Sequence, residues 1–260
     1  MIMGKICTSV PARDRRRLAM DIARAFSEGS DIVEVRFDYS SINSLGDMLD
    51  AVMEHRDRMV FTCRSRGEGG VFDGSEAERL IILKRLASFR PMLLDVEYNT
   101  LTGDHGEELY DHLRALDCDL LVSYHDFNRT PSRDDLAGIM RDMLEYSSSV
   151  KIVTMARGIE DNESILSLYD KIGSSGVRLV AFCMGEHGLA SRVLCTLLGA
   201  PFTYAALDEP LAPSQLTLRQ MRAVYDALHR RYSSVEGIRG DRGTIDMVAG
   251  VIGSVLHGHV

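Results

Sequence analysis

The sequence predicts an α/β fold, a (β/α)8 TIM barrel, and three observations carry that expectation. Eight short runs rich in β-branched and aromatic residues recur along the 260 residues. Their starts lie 24 to 34 residues apart, the span of one strand, one helix and two short loops. Helical patterns fill the intervals, and a chain of about 250 residues suits one such barrel.

The expected strands are 5–10, 31–38, 58–65, 92–98, 119–125, 150–156, 177–184 and 201–207. Between the first two, Leu18, Ile22, Ala23 and Phe26 repeat at helical spacing within 13–28. Segment 75–88 places Ala77, Leu80, Leu83 and Ala87 on one side, behind Ser75 as an N-cap. Segments 43–55, 106–115, 132–146, 162–172, 187–198 and 216–230 read as the remaining helices. An open doubly wound sheet is the alternative, but no glycine-rich dinucleotide turn follows the first strand. Gly67-Glu68-Gly69-Gly70 follows the third strand and reads as a flexible active-site loop rather than a phosphate cradle.

Residues 1–230 therefore form the expected barrel, and 231–260 an extension of unassigned role. Gly237, Gly240, Gly243 and Gly250 loosen that extension, while Ile245 to Leu256 suits a terminal helix or strand. Val248-Ala249-Gly250-Val251-Ile252-Gly253 faintly resembles the opening strand of shikimate dehydrogenases.

Composition bounds the function. A net charge of −8 leaves no basic stripe for phosphates, which argues against a nucleic-acid binder. Cys7, Cys63, Cys118, Cys183 and Cys195 have no metal-ligand spacing and read as reduced thiols. No apolar stretch approaches the roughly 18 residues that cross a bilayer, and no signal sequence opens the chain. A cytoplasmic protein without a membrane partner is expected.

Lys151 is the residue that most narrows the chemistry. It is one of four lysines among 30 basic residues and stands in the apolar run Val150 to Ala156. Burial favours the neutral amine, and a neutral amine attacks carbonyls. One run earlier, His125 offers an imidazole that moves protons near neutral pH. A snorkelling lysine at a strand start is the plain alternative. Strand parity adds charged inward positions: Glu34, Arg36 and Asp38 share one face, Asp95 and Glu97 another, and Arg64 ends the third run. Their position near carboxyl ends of strands is where barrel enzymes build sites.

These pieces resemble type I 3-dehydroquinate dehydratases, the Schiff-base enzymes of the shikimate pathway. The resemblance covers residue 5 to about 230, in order. It rests on Glu34-Val35-Arg36 with Asp38, Arg64-Ser65 before Glu68-Gly69-Gly70, Asp95-Val96-Glu97-Tyr98 and Ser123-Tyr124-His125-Asp126-Phe127. Lys151, Met184-Gly185 with Gly188, Ser191-Arg192 and Ala212-Pro213-Ser214-Gln215 complete it.

The resemblance implies dehydration of 3-dehydroquinate to 3-dehydroshikimate through an imine on Lys151, with no cofactor and no metal. It implies that His125 removes the proton beside the imine and then protonates the departing hydroxyl. Glu97 matches the acidic partner that orients this histidine, with a plain ion pair to Arg64 as the equal alternative. Arg192 would hold the substrate carboxylate, and Ser9, Glu34, Arg36, Arg64 and Gln215 would bind hydroxyls and carboxylate. Loops carrying Glu68 and Gln215 would close over the substrate, Met184 would pack against the imine, and a homodimer is implied. Ser214 departs from the usual glycine and predicts a stiffer lid; Leu211 replaces a frequent serine.

Three rivals are weighed. A class I aldolase shares the lysine imine but usually carries a phosphate site at the last strands, and no glycine-rich amide cluster lies in 199–213. A metal-dependent hydrolase using Glu34, Asp95, Glu97 and His125 would have one histidine amid arginines, a poor metal cage. A non-catalytic binding barrel would bind dehydroquinate without turning it over. Lys151 also stands early in its run, so its four-carbon stem must reach towards the carboxyl end.

Overall fold

In the computed structural model, residues 4–173, 175–231 and 238–258 are described. The strands are β1 (Ile6–Pro11), β2 (Ile32–Arg36), β3 (Met59–Thr62), β4 (Leu93–Glu97), β5 (Leu120–Asp126), β6 (Ser149–Met155), β7 (Arg178–Met184) and β8 (Thr203–Ala206). They form one sheet in the order β7-β6-β5-β4-β3-β2-β1-β8, so sequence neighbours pair. The β2–β3, β3–β4, β4–β5 and β6–β7 ladders are parallel. This is the expected (β/α)8 barrel fold. Every residue of β2, β3 and β4 is buried, as a parallel sheet covered on both faces requires.

The helices are α1 (Arg15–Ser27), α2 (Leu45–Val52), α3 (Glu76–Ala87), α4 (Tyr98–Leu101), α5 (Gly106–Ala115), α6 (Arg133–Met143), α7 (Glu160–Leu166), α8 (Leu168–Ile172), α9 (Leu189–Leu197), α10 (Leu218–Arg231) and α11 (Arg242–Leu256). Capping chemistry sets several starts. The Asp14 carboxylate accepts from the Arg17 N–H, Ser75 and Glu78 form a capping box, and Ser132 caps α6. The expected helix 162–172 divides at Ser167 into α7 and α8, and 187–198 opens with a 3-10 turn at Glu186–Gly188. Two strands stop two or more residues earlier than expected: β2 gives way to a 3-10 turn at Phe37–Tyr39, and β3 ends at Thr62, leaving Arg64 in the loop.

Contacts divide the chain into two compact units, Thr8–Tyr124 and the remainder, which runs up to Cys7 and on from His125. In Thr8–Tyr124 the core centres on Phe37 and Phe61, packed edge to face at 5.0 Å. In the other unit the β6–β7 ladder pairs Ser149 with Arg178 through to Met155 with Met184, and Phe182, Phe202 and Tyr204 pack beside it.

The extension corrects one expectation. Val248 to Gly253 lies inside α11, so the likeness to a dehydrogenase strand fails. Ile245, Val248, Val251 and Ile252 are buried, a helical period that fits packing against α7, α9 and α10. The Asp241 carboxylate accepts from the Thr244 N–H and starts the helix. Gly237 lies outside the described residues.

Candidate active site

In Thr8–Tyr124, alternation turns charged side chains inward from the strand ends, and these charges pair. Glu34 is buried at the middle of β2 and accepts from Thr62 Oγ1 at 3.0 Å. The Arg36 fork closes on Asp38, at 2.8 Å from Nε and 2.7 Å from Nη2. Asp38 also accepts from the Val71 N–H, so it ties the loop after β3 to the end of β2. Ser9 is buried in β1.

Arg64 is 4 % exposed and donates to Asp95 at 2.6 Å and to Ser123 Oγ at 2.7 Å. Ser123 in turn donates to Asp95 at 2.7 Å. Glu97 stands 3.4 Å from Arg64 and accepts from the Ser65 N–H at 2.8 Å and from Arg79 at 2.7 Å. Burial alone would raise the Glu97 pKa, but Arg64 and Arg79 beside it hold its carboxyl below the ordinary range. The ion pair weighed for Glu97 is therefore present, with a second arginine added.

Glu68 behaves in the opposite way. It is 6 % exposed and accepts from Asn99 Nδ2 at 2.9 Å. Burial pushes its carboxyl up to about 7, against the pull of Arg64. Sequence reasoning gave this residue only a place on a lid; its burial carries no period that a pattern reveals. The glycines after it are fixed by geometry rather than kept for mobility. Gly69 has a φ of +79°, and a side chain at Gly70 would stand 2.0 Å from the Arg64 carbonyl oxygen.

In the other unit, Lys151 is 4 % exposed on β6. It is the third residue of Ser149–Met155, yet its stem carries Nζ to 4.9 Å from the centre of the Tyr204 ring on β8. The amine therefore lies within the protein interior, and the snorkelling alternative is set aside. His125, near the end of β5, is half-buried and follows Ser123 on the same strand face. Its ring stacks on Phe127 at 6.4 Å. Asp126 closes the turn behind it, accepting from the Asn128 and Arg129 N–H groups.

Arg192 sits in the first turns of α9, 1 % exposed, with its guanidinium 4.3 Å from the centre of the Phe182 ring. Nε and Nη2 have no hydrogen-bond partner among the described residues, and burial lowers its pKa to about 10. A buried cation with unused donors suits an anion. Ser191 is structural: its hydroxyl accepts from the Cys183 N–H and donates to the Gly188 carbonyl, fixing α9 against β7. Met184 is buried at the end of β7. Gln215 is 6 % exposed and accepts from the Leu211 N–H at 3.0 Å. Ser214 holds φ at +52°, which accounts physically for glycine as the usual residue there.

Fold and side chains together define an enzyme of the (β/α)8-barrel class. Residues 6–232 match the family model of type I 3-dehydroquinase. The 3-dehydroquinate dehydratase of Dehalococcoides mccartyi is 39 % identical over 208 residues, covering 78 % of this chain and 88 % of that protein. That of Methanopyrus kandleri is 36 % identical over 206 residues, covering 78 % and 90 %. The crystal structure of 3-dehydroquinate dehydratase from Geobacillus kaustophilus shares the fold, with a TM-score of 0.78 at 24 % identity over 89 % of this chain and 93 % of that one. The chain belongs to the type I 3-dehydroquinase family.

Proposed function

We propose that this protein dehydrates 3-dehydroquinate to 3-dehydroshikimate, in the shikimate pathway, through an imine on Lys151. The observation that carries the reading is a lysine amine held in the interior of the same unit as a buried arginine, two of whose nitrogens have no partner among the described residues. The amine attacks the ketone and water leaves, giving an iminium that withdraws electrons from the neighbouring carbon. His125 removes the proton there and returns it to the departing hydroxyl, and hydrolysis releases the enone and Lys151. Arg192 holds the carboxylate, while Ser9, Glu34, Arg36, Arg64 and Gln215 serve the remaining oxygens. Glu97, already paired with two arginines, serves as a fixed anion. Met184 lines the imine.

Residues 231–260 are taken as an extension outside the catalytic barrel, in line with a family match ending at residue 232. A cytoplasmic homodimer fits a biosynthetic role. Among the described residues no helix is long and apolar enough to cross a membrane.

The test is ultraviolet absorbance of the conjugated product. Lys151→Ala and His125→Ala should each lower turnover by about a thousandfold or more, the scale set by loss of covalent or acid–base catalysis. Wild-type-like turnover in Lys151→Ala would refute the assignment.

A further inference from the structure

Buried charges meet at the ends of β3 and β4. Asp95 and Glu97 are both 1 % exposed, and Arg64 reaches them at 2.6 Å and 3.4 Å. A carboxylate buried as deeply as Glu97 requires paired charge and hydrogen bonds. For Glu97 a second positive charge comes from outside the sheet. Arg79 on α3 is 1 % exposed, although the helical pattern placed the core face on Ala77, Leu80, Leu83 and Ala87. Its Nη1 donates to Glu97 at 2.7 Å and to the Cys63 carbonyl at 3.0 Å. Nε and Nη2 close on Glu76, at 2.8 Å and 2.6 Å, and Nη2 also donates to Thr100.

We propose that Arg79 is a positioning residue for the reaction: it keeps Glu97 as a fixed anion, and Glu97 in turn sets Arg64 and the Ser65 backbone. The proposal rests on the reading of Arg64 as a substrate-binding residue. The chain of contacts is direct. Glu97 receives the Ser65 N–H with one oxygen and Arg79 with the other, so its carboxylate cannot rotate without losing one of them. Ser65 begins the loop that carries Glu68, and its carbonyl accepts from the Gly70 N–H. The charged and titratable groups around Glu97 are Arg64 and Asp95 on the strand side, Cys63 behind it, Glu68 on the loop and Arg79 on the helix. Of these only Arg64 and Arg79 are positive. Without Arg79, Glu97 loses one of the two charges that favour its ionised form, so it takes up a proton more readily and the geometry it imposes on Arg64 becomes more sensitive to acid.

The experiment compares Arg79→Met, Glu97→Gln and the double variant, in the full chain. The readouts are kcat/KM across pH, carbon-13 NMR titration of the Glu97 carboxyl, and denaturant stability. In Arg79→Met the Glu97 titration should move up from its wild-type position, and kcat/KM should fall about tenfold more at the acid end of the pH profile than at the alkaline end. The double variant should be no worse than Glu97→Gln, because the charge that Arg79 serves is gone. A pH-independent loss in Arg79→Met, or losses that multiply in the double variant, would overturn the proposal. Should Arg79→Met fail to fold, the double variant decides: stability equal to Glu97→Gln supports charge compensation, and an unfolded double variant beside a folded Glu97→Gln rejects it. If the wild type neither dehydrates dehydroquinate nor forms an adduct at Lys151, the functional reading fails, while titration and stability still judge Arg79.

Discussion

A guanidinium in a dry interior is stable only when its donors find acceptors, and two nitrogens of Arg192 find none among the described residues. The motif Ser191-Arg192 made the arginine visible in the sequence, but its unused donors are a product of packing under Phe182. Glu68 is a buried acid whose burial acts in the opposite direction on its pKa. Its folded-state pKa, about 7, stands above its ordinary 4.5. Between those pH values the folded protein holds a proton that the unfolded chain has released, so stability falls as pH rises through the window. At about 1.4 kcal/mol per pH unit, ionising Glu68 costs up to about 3 kcal/mol above pH 7. Glu68→Gln keeps an acceptor for Asn99 and never ionises. It should be more stable than wild type at pH 8, with the difference vanishing near pH 4.5, as read from urea melts at both values. Equal stability at pH 8 would show that the carboxyl is not desolvated.

At the scale of the element, the two loops nearest the candidate residues meet their conformational demands differently. The loop after β3 meets its positive φ with Gly69 and its close approach with Gly70. The loop after β8 places Ser214 at φ +52° with no such relief. A side chain in the left-handed region costs about 1 kcal/mol, partly offset in a glycine variant by greater freedom of the unfolded chain. Ser214→Gly should therefore raise unfolding free energy by about 0.5 kcal/mol, measured by denaturant titration. A destabilised variant would mean that the serine hydroxyl contributes more than its backbone costs. Strand β6 illustrates a related point: Lys151 starts low in its strand, yet a long stem brings its amine level with Tyr204. Strand position alone did not fix where the functional atom lies.

Across the whole molecule, spacing made the barrel legible, since eight β-rich runs at near-constant intervals admit few other topologies. The inward charges Glu34, Asp95 and Glu97 were legible too, because strand parity is rigid, and Arg64 was legible as the arginine just beyond β3. Arg79 was not, since a helix position is read as core from apolar residues, and a buried arginine on a helix breaks that rule. The strand reading of Val248 to Gly253 failed because six apolar and small residues fit either period until Ile245 joins Val248, Val251 and Ile252 on one buried helical face.

An imine on Lys151 is a covalent bond to substrate and can be trapped chemically. Borohydride reduction in the presence of dehydroquinate, followed by digestion and mass mapping, should place a single substrate-derived adduct on the peptide containing Lys151. An adduct on Lys5, Lys84 or Lys171, or no adduct from an active enzyme, would mean that the reaction does not run through an imine on Lys151.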